Sequence, residues 1–247
     1  MIIRMLHIYS VLSKITNKLY TPLMKNHAST SLSDFIEYPI DEMIARSAEF
    51  YATMQRRHSI RQFSERSVPQ SIIENCIKAA GTAPSGANHQ PWHFVAMQDD
   101  AIKQQVREAA ESHEHAFYAG RAGDEWINAL KPLGTDAQKP YLAHAPWLIA
   151  IFSQKKGGVK AGEKHTNYYV HESVGIATGM LITALHQSGL VTLTHTPKPM
   201  SFLTKICGRP EDERPYMLII AGYPAEDATV PEHALNKKSL DQISTFI

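Results

Sequence analysis

The alternation of hydrophobic and polar residues predicts helices and buried strands in turn along most of the chain. Apolar residues recur every three or four positions in five segments, which predict helices over 41–57, 68–80, 101–111, 125–131 and 168–188. Four short runs predict strands over 93–97, 147–152, 190–195 and 216–222. "WLIAIF" and "YMLIIAG" are apolar at both alternating positions, which is typical of strands covered by helices on both faces. We therefore expect an α+β or mixed α/β fold.

The folded part of the chain is expected to be one domain over 36–247. No repeat and no Pro/Gly/Ser-rich linker interrupts residues 40–230. The helix predicted over 168–188 is apolar over a wide arc and should lie in the centre of the core. Residues 1–35 are predicted to form a disordered or loosely helical tail. Its apolar run, 5–12, is far shorter than the roughly 20 residues that a membrane span needs.

Charge and cysteine content narrow the class of protein. The formal net charge is +1, so nothing favours a nucleic-acid or membrane partner. Cys76 and Cys207 are the two cysteines, and neither has a metal-ligand spacing. They predict free thiols in a reducing compartment such as the cytoplasm.

Three motifs contain residues suited to binding a ligand. In "RRHSIR", an extended backbone would direct Arg57, Ser59 and Arg61 to one side, where they could bind an anion; a solvated basic turn is the alternative. "TAPSGANHQP" could bring backbone amides close to a ligand, although most such stretches are plain turns. "TLTHTP" places Thr192, Thr194 and Thr196 at a strand end, although threonine is also simply a good strand residue.

Two other kinds of site are disfavoured by the sequence. His113 and His115 could suggest a metal cluster, but no HExxH or Cys/His ligand pattern is present, so we expect surface histidines and no metal. Ser85 lacks the first glycine of a nucleophile elbow, which argues against a serine hydrolase.

Five segments, in this order, carry a resemblance to a known family: "EFYATMQRRHSIRQFSERSVP", "IENCIKAAGTAPSGANHQPWHFV", "GLVTLTHTP", "GRPEDERPYMLIIAGYPAEDATVP" and "KKSLDQI". Together they resemble the flavin-dependent nitroreductase superfamily, and most closely its iodotyrosine deiodinase branch. The resemblance implies an FMN cofactor, a mixed central sheet covered by helices, and an intertwined homodimer with the flavin at the subunit interface.

Residue by residue, the resemblance implies the following flavin contacts. Arg57, His58, Ser59, Ile60 and Arg61 form the FMN-binding strip, with Arg57 and Ser59 on the phosphate and Arg61 closer to the ring. Further contacts with FMN are expected from Pro84, Ser85, Gly86, Thr194, His195 and Thr196, the Thr196 hydroxyl lying near flavin N5 as the catalytic group. Lys237 or Lys238, in a C-terminal arm over about 230–247, would reach the phosphate, and the motif does not choose between them.

The resemblance also implies a substrate lid over about 108–140. Glu114, Tyr118 and Lys139 have the order and spacing of a set that grips the amino-acid end of a halotyrosine, and the Ala87 amide would bind a substrate oxygen. A charged surface segment with fortuitous spacing is the alternative. His58 and His195 depart from the family pattern and leave the substrate preference open.

The activity implied is FMN-dependent reductive dehalogenation of halotyrosines, which releases halide and tyrosine. Electrons would come from NAD(P)H, directly or through a reductase. The alternatives are a general NAD(P)H-dependent nitroreductase or quinone reductase, which shares the flavin strip but does not need Glu114, Tyr118 and Lys139, and a flavin-storage or sensory protein without turnover.

Overall fold

The computed structural model describes residues 28–121, 123–160 and 162–247. Most of the predicted N-terminal tail, residues 1–27, therefore lies outside the described residues. The chain divides into two compact units between Ser47 and Ala48, and each is described by itself. None of the helices in the described ranges is long and apolar enough to cross a membrane.

The predicted helices and strands are all present, with ends that differ by a few residues. The helices are α1 (Ile40–Gln55), α2 (Gln70–Gly81), α3 (Asp100–Ala116), α4 (Asp124–Leu130), α5 (Tyr141–His144), α6 (Val170–Gln187), α7 (Phe202–Ile206), α8 (Glu232–Leu235) and α9 (Leu240–Ile243). The strands are β1 (Trp92–Met97), β2 (Trp147–Gln154), β3 (Lys156–Gly157), β4 (His165–Thr166), β5 (Val191–His195) and β6 (Glu213–Gly222).

The largest difference concerns α3, which was predicted to end at residue 111 and continues to Ala116. Asp99 caps its first turn by accepting a hydrogen bond from the Ile102 N–H at 2.9 Å. "ESHEHA" contains no proline or glycine to stop the helix. The extra turn places Glu114 on a helix rather than in a loop.

The central sheet has the strand order β1-β2-β6-β5, and its neighbouring strands are antiparallel. A parallel component is present as an isolated bridge between Ser59 and Thr192. Alternate residues of β2 face two separate clusters of buried side chains. Leu148, Ala150 and Phe152 lie in the cluster that includes α3 and α5, and Trp147, Ile149 and Ile151 lie in the cluster that includes α2 and α6. The prediction of a central sheet covered by helices on both faces is confirmed.

Helix α6 occupies the core position that its apolar composition predicted. It is the longest of the described helices, and it buries six side chains, those of Ser173, Val174, Ala177, Thr178, Leu181 and Leu185. The buried hydroxyls of Ser173 and Thr178 both donate to backbone carbonyls four residues earlier, Ser173 to Tyr169 at 2.6 Å and Thr178 to Val174 at 2.7 Å. Helix α6 is therefore a buried support for the loops that meet its first turn.

Arg209 and Glu213 form a largely buried ion pair at the start of β6. Glu213 is 6% exposed and accepts hydrogen bonds from Arg209 Nε at 2.7 Å, Arg209 Nη2 at 2.5 Å and Gln154 Nε2 at 2.9 Å. Burial raises the pKa of the Glu213 carboxyl, but the bonds from Arg209 and Gln154 outweigh burial and hold that pKa below its ordinary value.

Replacement of this carboxylate, Glu213→Gln, is expected to lower the free energy of unfolding by about 2 kcal/mol at neutral pH, since charge-assisted hydrogen bonds are lost. The folded-state pKa is lowered, so the stabilisation is fully present above the ordinary carboxyl pKa. It disappears as pH falls through the lowered value. Urea unfolding at neutral and acid pH should show the difference shrinking in acid. The exposed Glu211→Gln is the control, and a difference independent of pH would contradict the account.

Candidate active site

A cavity of about 240 Å³ opens beside the last residues of β5. Its wall is formed by the end of α3, by the segment that leads into α5 and by the chain leaving β5. The lining residues are Arg61, Glu114, Phe117, Tyr118, Trp126, Leu130, Thr135, Lys139, Tyr141, Leu193, Thr194, His195, Thr196 and Lys198. Half of these were predicted from the sequence as cofactor or substrate contacts.

The "RRHSIR" strip reaches this cavity because it runs alongside β5. Ser59 forms a parallel bridge with Thr192, and the Ile60 N–H donates to the Thr192 carbonyl at 3.1 Å. Continuing in the same register brings Arg61 to the level of the residues that follow Thr192. Ile60 is buried and anchors the strip, whereas Arg57, His58 and Ser59 are half-buried. The strip and the "TLTHTP" motif therefore lie side by side, as expected of two segments that the resemblance assigns to one flavin.

The last residues of β5 alternate between two environments. Thr194 and Thr196 are exposed, whereas His195 is buried. Because successive side chains of a strand point to opposite faces, the two hydroxyls share the exposed side, whereas the imidazole is buried and still lines the cavity. The threonine hydroxyls are thus accessible to a ligand that lies along the strand.

Glu114, Tyr118 and Lys139 are brought together at the opposite wall. The spacing of four residues places Glu114 and Tyr118 on one helical face, across α3 and the π-helical turn Phe117–Arg121. Lys139 Nζ lies 3.4 Å from Glu114 Oε2 and 5.5 Å from the centre of the Tyr118 ring. The Tyr118 hydroxyl donates to the Thr135 carbonyl at 3.2 Å. An anion, a cation and an aromatic ring therefore face one small space.

Lys139 is nearly inaccessible to solvent, with 3% of its side chain exposed. Burial lowers the pKa of its ammonium, and the nearby Glu114 carboxylate partly restores it. Nζ also donates to Thr135 Oγ1 at 3.2 Å and to the Asp136 carbonyl. An ammonium this deeply buried needs such partners, because an unpaired buried charge is costly.

His195 brings a neutral imidazole to the cavity. Burial, together with the positive charges of Lys139 and Arg61, lowers its pKa to about 3. Its ring lies edge-on to the buried Tyr141 ring, with centroids 5.9 Å apart. Within the part of the chain that the structure describes, its Nε2 is buried without a hydrogen-bond partner. This atom is an orphaned polar group that a bound ligand or water could satisfy.

The "PSGAN" loop lies against the start of α6. Gly86 N–H donates to Ser173 Oγ at 3.3 Å, and Ser85 Oγ accepts from the Gln90 N–H at 2.9 Å. A Cβ on Gly86 would lie 2.5 Å from the Tyr168 carbonyl oxygen, so only glycine fits this close approach. Ala87 has a left-handed backbone with φ of 50°, and both Pro84 and Ala87 are exposed. None of residues 84–87 is among the described residues that line the cavity.

The two candidate phosphate lysines lie in the C-terminal arm, between α8 and α9. Both Lys237 and Lys238 are exposed, and Lys237 Nζ donates to the Ala234 carbonyl at 2.5 Å. Neither lysine lines the cavity as the described residues define it. The single chain thus holds its predicted site residues in three places: the cavity with its strip, the "PSGAN" loop and the arm.

The sequence did not single out the other half of the cavity wall: Phe117, Trp126, Leu130, Thr135, Tyr141, Leu193 and Lys198. Tyr141 follows Lys139 by two residues and begins α5, so an aromatic hydroxyl this close in sequence to Lys139 was a usable signal. Within 28–121, 123–160 and 162–247, no three His, Cys, Asp or Glu side chains are grouped so that they could hold a metal ion.

A sequence model of the nitroreductase family matches residues 54–223, and the chain therefore belongs to the nitroreductase family. Iodotyrosine deiodinase from Haliscomenobacter hydrossis is 50% identical over 196 residues, which cover 79% of this chain and 88% of that protein. Iodotyrosine deiodinase 1 from Homo sapiens is 45% identical over 211 residues, covering 85% of this chain and 72% of that protein.

A crystal structure of oxidized iodotyrosine deiodinase, bound to FMN and 3-iodo-L-tyrosine, superposes with a TM-score of 0.66 at 29% sequence identity. It covers 80% of this chain and 100% of that chain. Together with the sequence relatives, it places the chain in the iodotyrosine deiodinase branch of the family. The resemblance on which the sequence prediction rested is confirmed.

Proposed function

We propose that the protein is an FMN-dependent reductive dehalogenase of halotyrosines, which converts a halotyrosine, two electrons and a proton into tyrosine and halide. The observation that carries this proposal is the Glu114–Lys139 pair, 3.4 Å apart beside the Tyr118 ring. Opposite charges beside an aromatic ring suit a zwitterionic aromatic amino acid. Relatives and a solved structure of the same branch, one with FMN and 3-iodo-L-tyrosine bound, support it.

The residues present fit FMN. Arg57 and Ser59 offer a charged fork and a hydroxyl to the phosphate, with His58 and Ile60 holding the strip in its extended form. Arg61 lines the same cavity as the accessible hydroxyls of Thr194 and Thr196. The buried, unpartnered Nε2 of His195 offers one further hydrogen bond. When bound, the flavin supplies the two electrons, and the protein supplies orientation and electrostatics.

The remaining cofactor contacts are proposed for the loop and the arm. Pro84, Ser85 and Gly86 would pack against the flavin, and Lys237 or Lys238 would reach its phosphate. The close approach of Gly86 to the Tyr168 carbonyl fixes the backbone of this loop, which suits a rigid contact surface. The backbone amide of Ala87, in its left-handed conformation, would donate to the phenolate oxygen of the substrate.

The lid over about 108–140 would grip the amino-acid end of the substrate. Without substrate, Glu114 and Lys139 neutralise each other. With substrate, Glu114 would take the α-ammonium and Lys139 the α-carboxylate, so that each buried charge keeps a partner. Tyr118 would cover the ring, and the apolar lid residues Phe117, Trp126 and Leu130 would exclude water from the reacting carbon.

The Thr196 hydroxyl is proposed to donate a hydrogen bond near flavin N5, where protonation changes during the reaction. Thr196→Ala is expected to slow reoxidation of the reduced protein by 3-iodo-L-tyrosine by about 100-fold, the scale of losing one preorganised donor. The affinity for FMN should change little. Stopped-flow absorbance measures the rate, and Thr196→Ser is the matched control because it keeps the hydroxyl. Equal rates in wild type and the alanine variant would remove the role.

A homodimer is proposed as the functional unit. An apolar groove is lined by Phe50, Ala79, Ile176, Gly179, Met180, Thr183 and Ala184, and both Phe50 and Ile176 are about half exposed. The arm exposes Leu240, Ile243 and Phe246. A second copy would cover these apolar surfaces and bring its own loop and arm to the cavity of the first. Sedimentation equilibrium should give a dimer, and a monomer that holds FMN normally would contradict this.

The electron donor is proposed to be NAD(P)H, directly or through a reductase, and the compartment to be the cytoplasm. The support for the compartment is that Cys76 is buried and neither cysteine is disulfide-bonded. A general nitroreductase is the second candidate, because the flavin strip alone would serve it.

Turnover measured with two substrates separates these functions. With dithionite as reductant, the protein should release iodide from 3-iodo-L-tyrosine. With NADH, it should reduce nitrobenzene poorly. Rapid nitrobenzene reduction together with no iodide release would select the nitroreductase instead.

A further inference from the structure

Glu111 contacts the backbone of the lysine in the clamp formed by Glu114, Tyr118 and Lys139. It lies on α3, one turn before Glu114, and its Oε1 accepts a hydrogen bond from the Lys139 N–H at 2.7 Å. The same oxygen accepts a bond from Arg107 Nε at 2.9 Å. One helix therefore holds both ends of Lys139, with Glu111 on its main chain and Glu114 on its ammonium.

We propose that Glu111, braced by Arg107, is a positioning residue that sets the location of the Lys139 ammonium and so selects substrates with an α-carboxylate. This inference rests on the proposed function of the clamp. Glu111 is not among the residues that line the cavity in the described part of the chain, so it acts through Lys139 rather than on the substrate.

The hydrogen bond between Glu111 and the Lys139 N–H connects the first part of the lid to its last part. The bond joins residues 28 positions apart, and the segment between them includes Glu114 and Tyr118. Closing such a segment restricts the positions of everything inside it. Lys139 also accepts a backbone bond from the Leu142 N–H at 3.0 Å, at the start of α5, so the anchored residue leads directly into a buried helix.

The charge of Glu111 strengthens this contact. Burial raises the pKa of its carboxyl, but the bonds from the Lys139 N–H and from Arg107 outweigh burial and lower that pKa below its ordinary value. The carboxylate is therefore ionised at neutral pH. Ionised acceptors form hydrogen bonds roughly twice as strong as neutral ones.

Glu111→Gln keeps an acceptor of the same shape and removes the charge. We expect the affinity of the oxidised holoenzyme for 3-iodo-L-tyrosine to fall about tenfold, as for the loss of one charge-assisted contact, while the affinity for 2-iodophenol stays unchanged. Quenching of flavin fluorescence measures both dissociation constants. Glu108→Gln, on the same helix, is the control, since Glu108 contacts only Gln104 among the hydrogen bonds of the described residues. Equal losses for both ligands would mean a merely structural role and overturn the proposal.

A double-mutant cycle with Lys139→Ala tests whether Glu111 acts through the lysine. If it does, the preference for 3-iodo-L-tyrosine over 2-iodophenol should be the same in the double variant as in Lys139→Ala alone. A weaker preference for 3-iodo-L-tyrosine in the double variant would show that Glu111 does not act through Lys139. Failure of the proposed function looks different, because the wild-type protein would then show no preference for 3-iodo-L-tyrosine over 2-iodophenol.

Discussion

Glu114→Gln should weaken binding of 3-iodo-L-tyrosine by about 100-fold, because it removes the partner of the substrate ammonium and leaves that ammonium unpaired in the complex. Lys139, which lies 3.4 Å from Glu114 without substrate, would keep the α-carboxylate as its partner in the complex. The loss should appear in kcat/KM as well as in the dissociation constant. A ligand without the amino-acid group, 2-iodophenol, should bind almost as it does to the wild type.

The control for this prediction is a second lid carboxylate. Glu125 lies in α4, is exposed and is not among the described residues that line the cavity, so Glu125→Gln should leave both affinities unchanged. If Glu114→Gln weakened 2-iodophenol as much as 3-iodo-L-tyrosine, the clamp would have no role in recognising the zwitterion.

Arg57→Ala is expected to weaken FMN binding on the order of 100-fold, since the guanidinium would form charge-assisted, bidentate bonds with the phosphate. Arg57 is half-buried at the start of the strip that runs beside β5. Purified variant protein should therefore be largely colourless, and titration of the apoprotein with FMN measures the change in affinity.

The neighbouring arginine is a matched control for this variant. Arg56 is exposed and its guanidinium bonds to its own helix, at the Ala52 carbonyl and Thr53 Oγ1. Arg56→Ala should retain FMN. Equal retention of FMN by Arg57→Ala and Arg56→Ala would show that the phosphate is held elsewhere.

The elements of the fold were predictable because periodicity is a local signal. The apolar pattern located α6 and both buried strands of the sheet centre, β2 and β6, within a few residues. The strand order β1-β2-β6-β5 was not predictable from pattern, since it depends on pairings between residues far apart in the chain. The short helices α5 and α7 were missed because four or five residues show too little periodicity.

The candidate site likewise has parts that local spacing predicts and parts that depend on the tertiary structure. The spacing of Glu114 and Tyr118 is local and puts both on one face of a helix whatever the fold. Lys139 joins them only through the tertiary structure, so resemblance to a family was needed to include it. The hydrogen bond between Glu111 and the Lys139 N–H could not be predicted from the sequence, because any acceptor on that helical face could bind a backbone N–H.

A single turnover shows whether a flavin held by this chain reduces a halotyrosine beneath the lid. The holoprotein is reduced anaerobically, mixed with one equivalent of 3-iodo-L-tyrosine, and analysed for flavin absorbance, iodide and tyrosine. We expect one iodide and one tyrosine for each flavin oxidised. A flavin that stays reduced, or that is oxidised without release of iodide, would rule out the dehalogenase function.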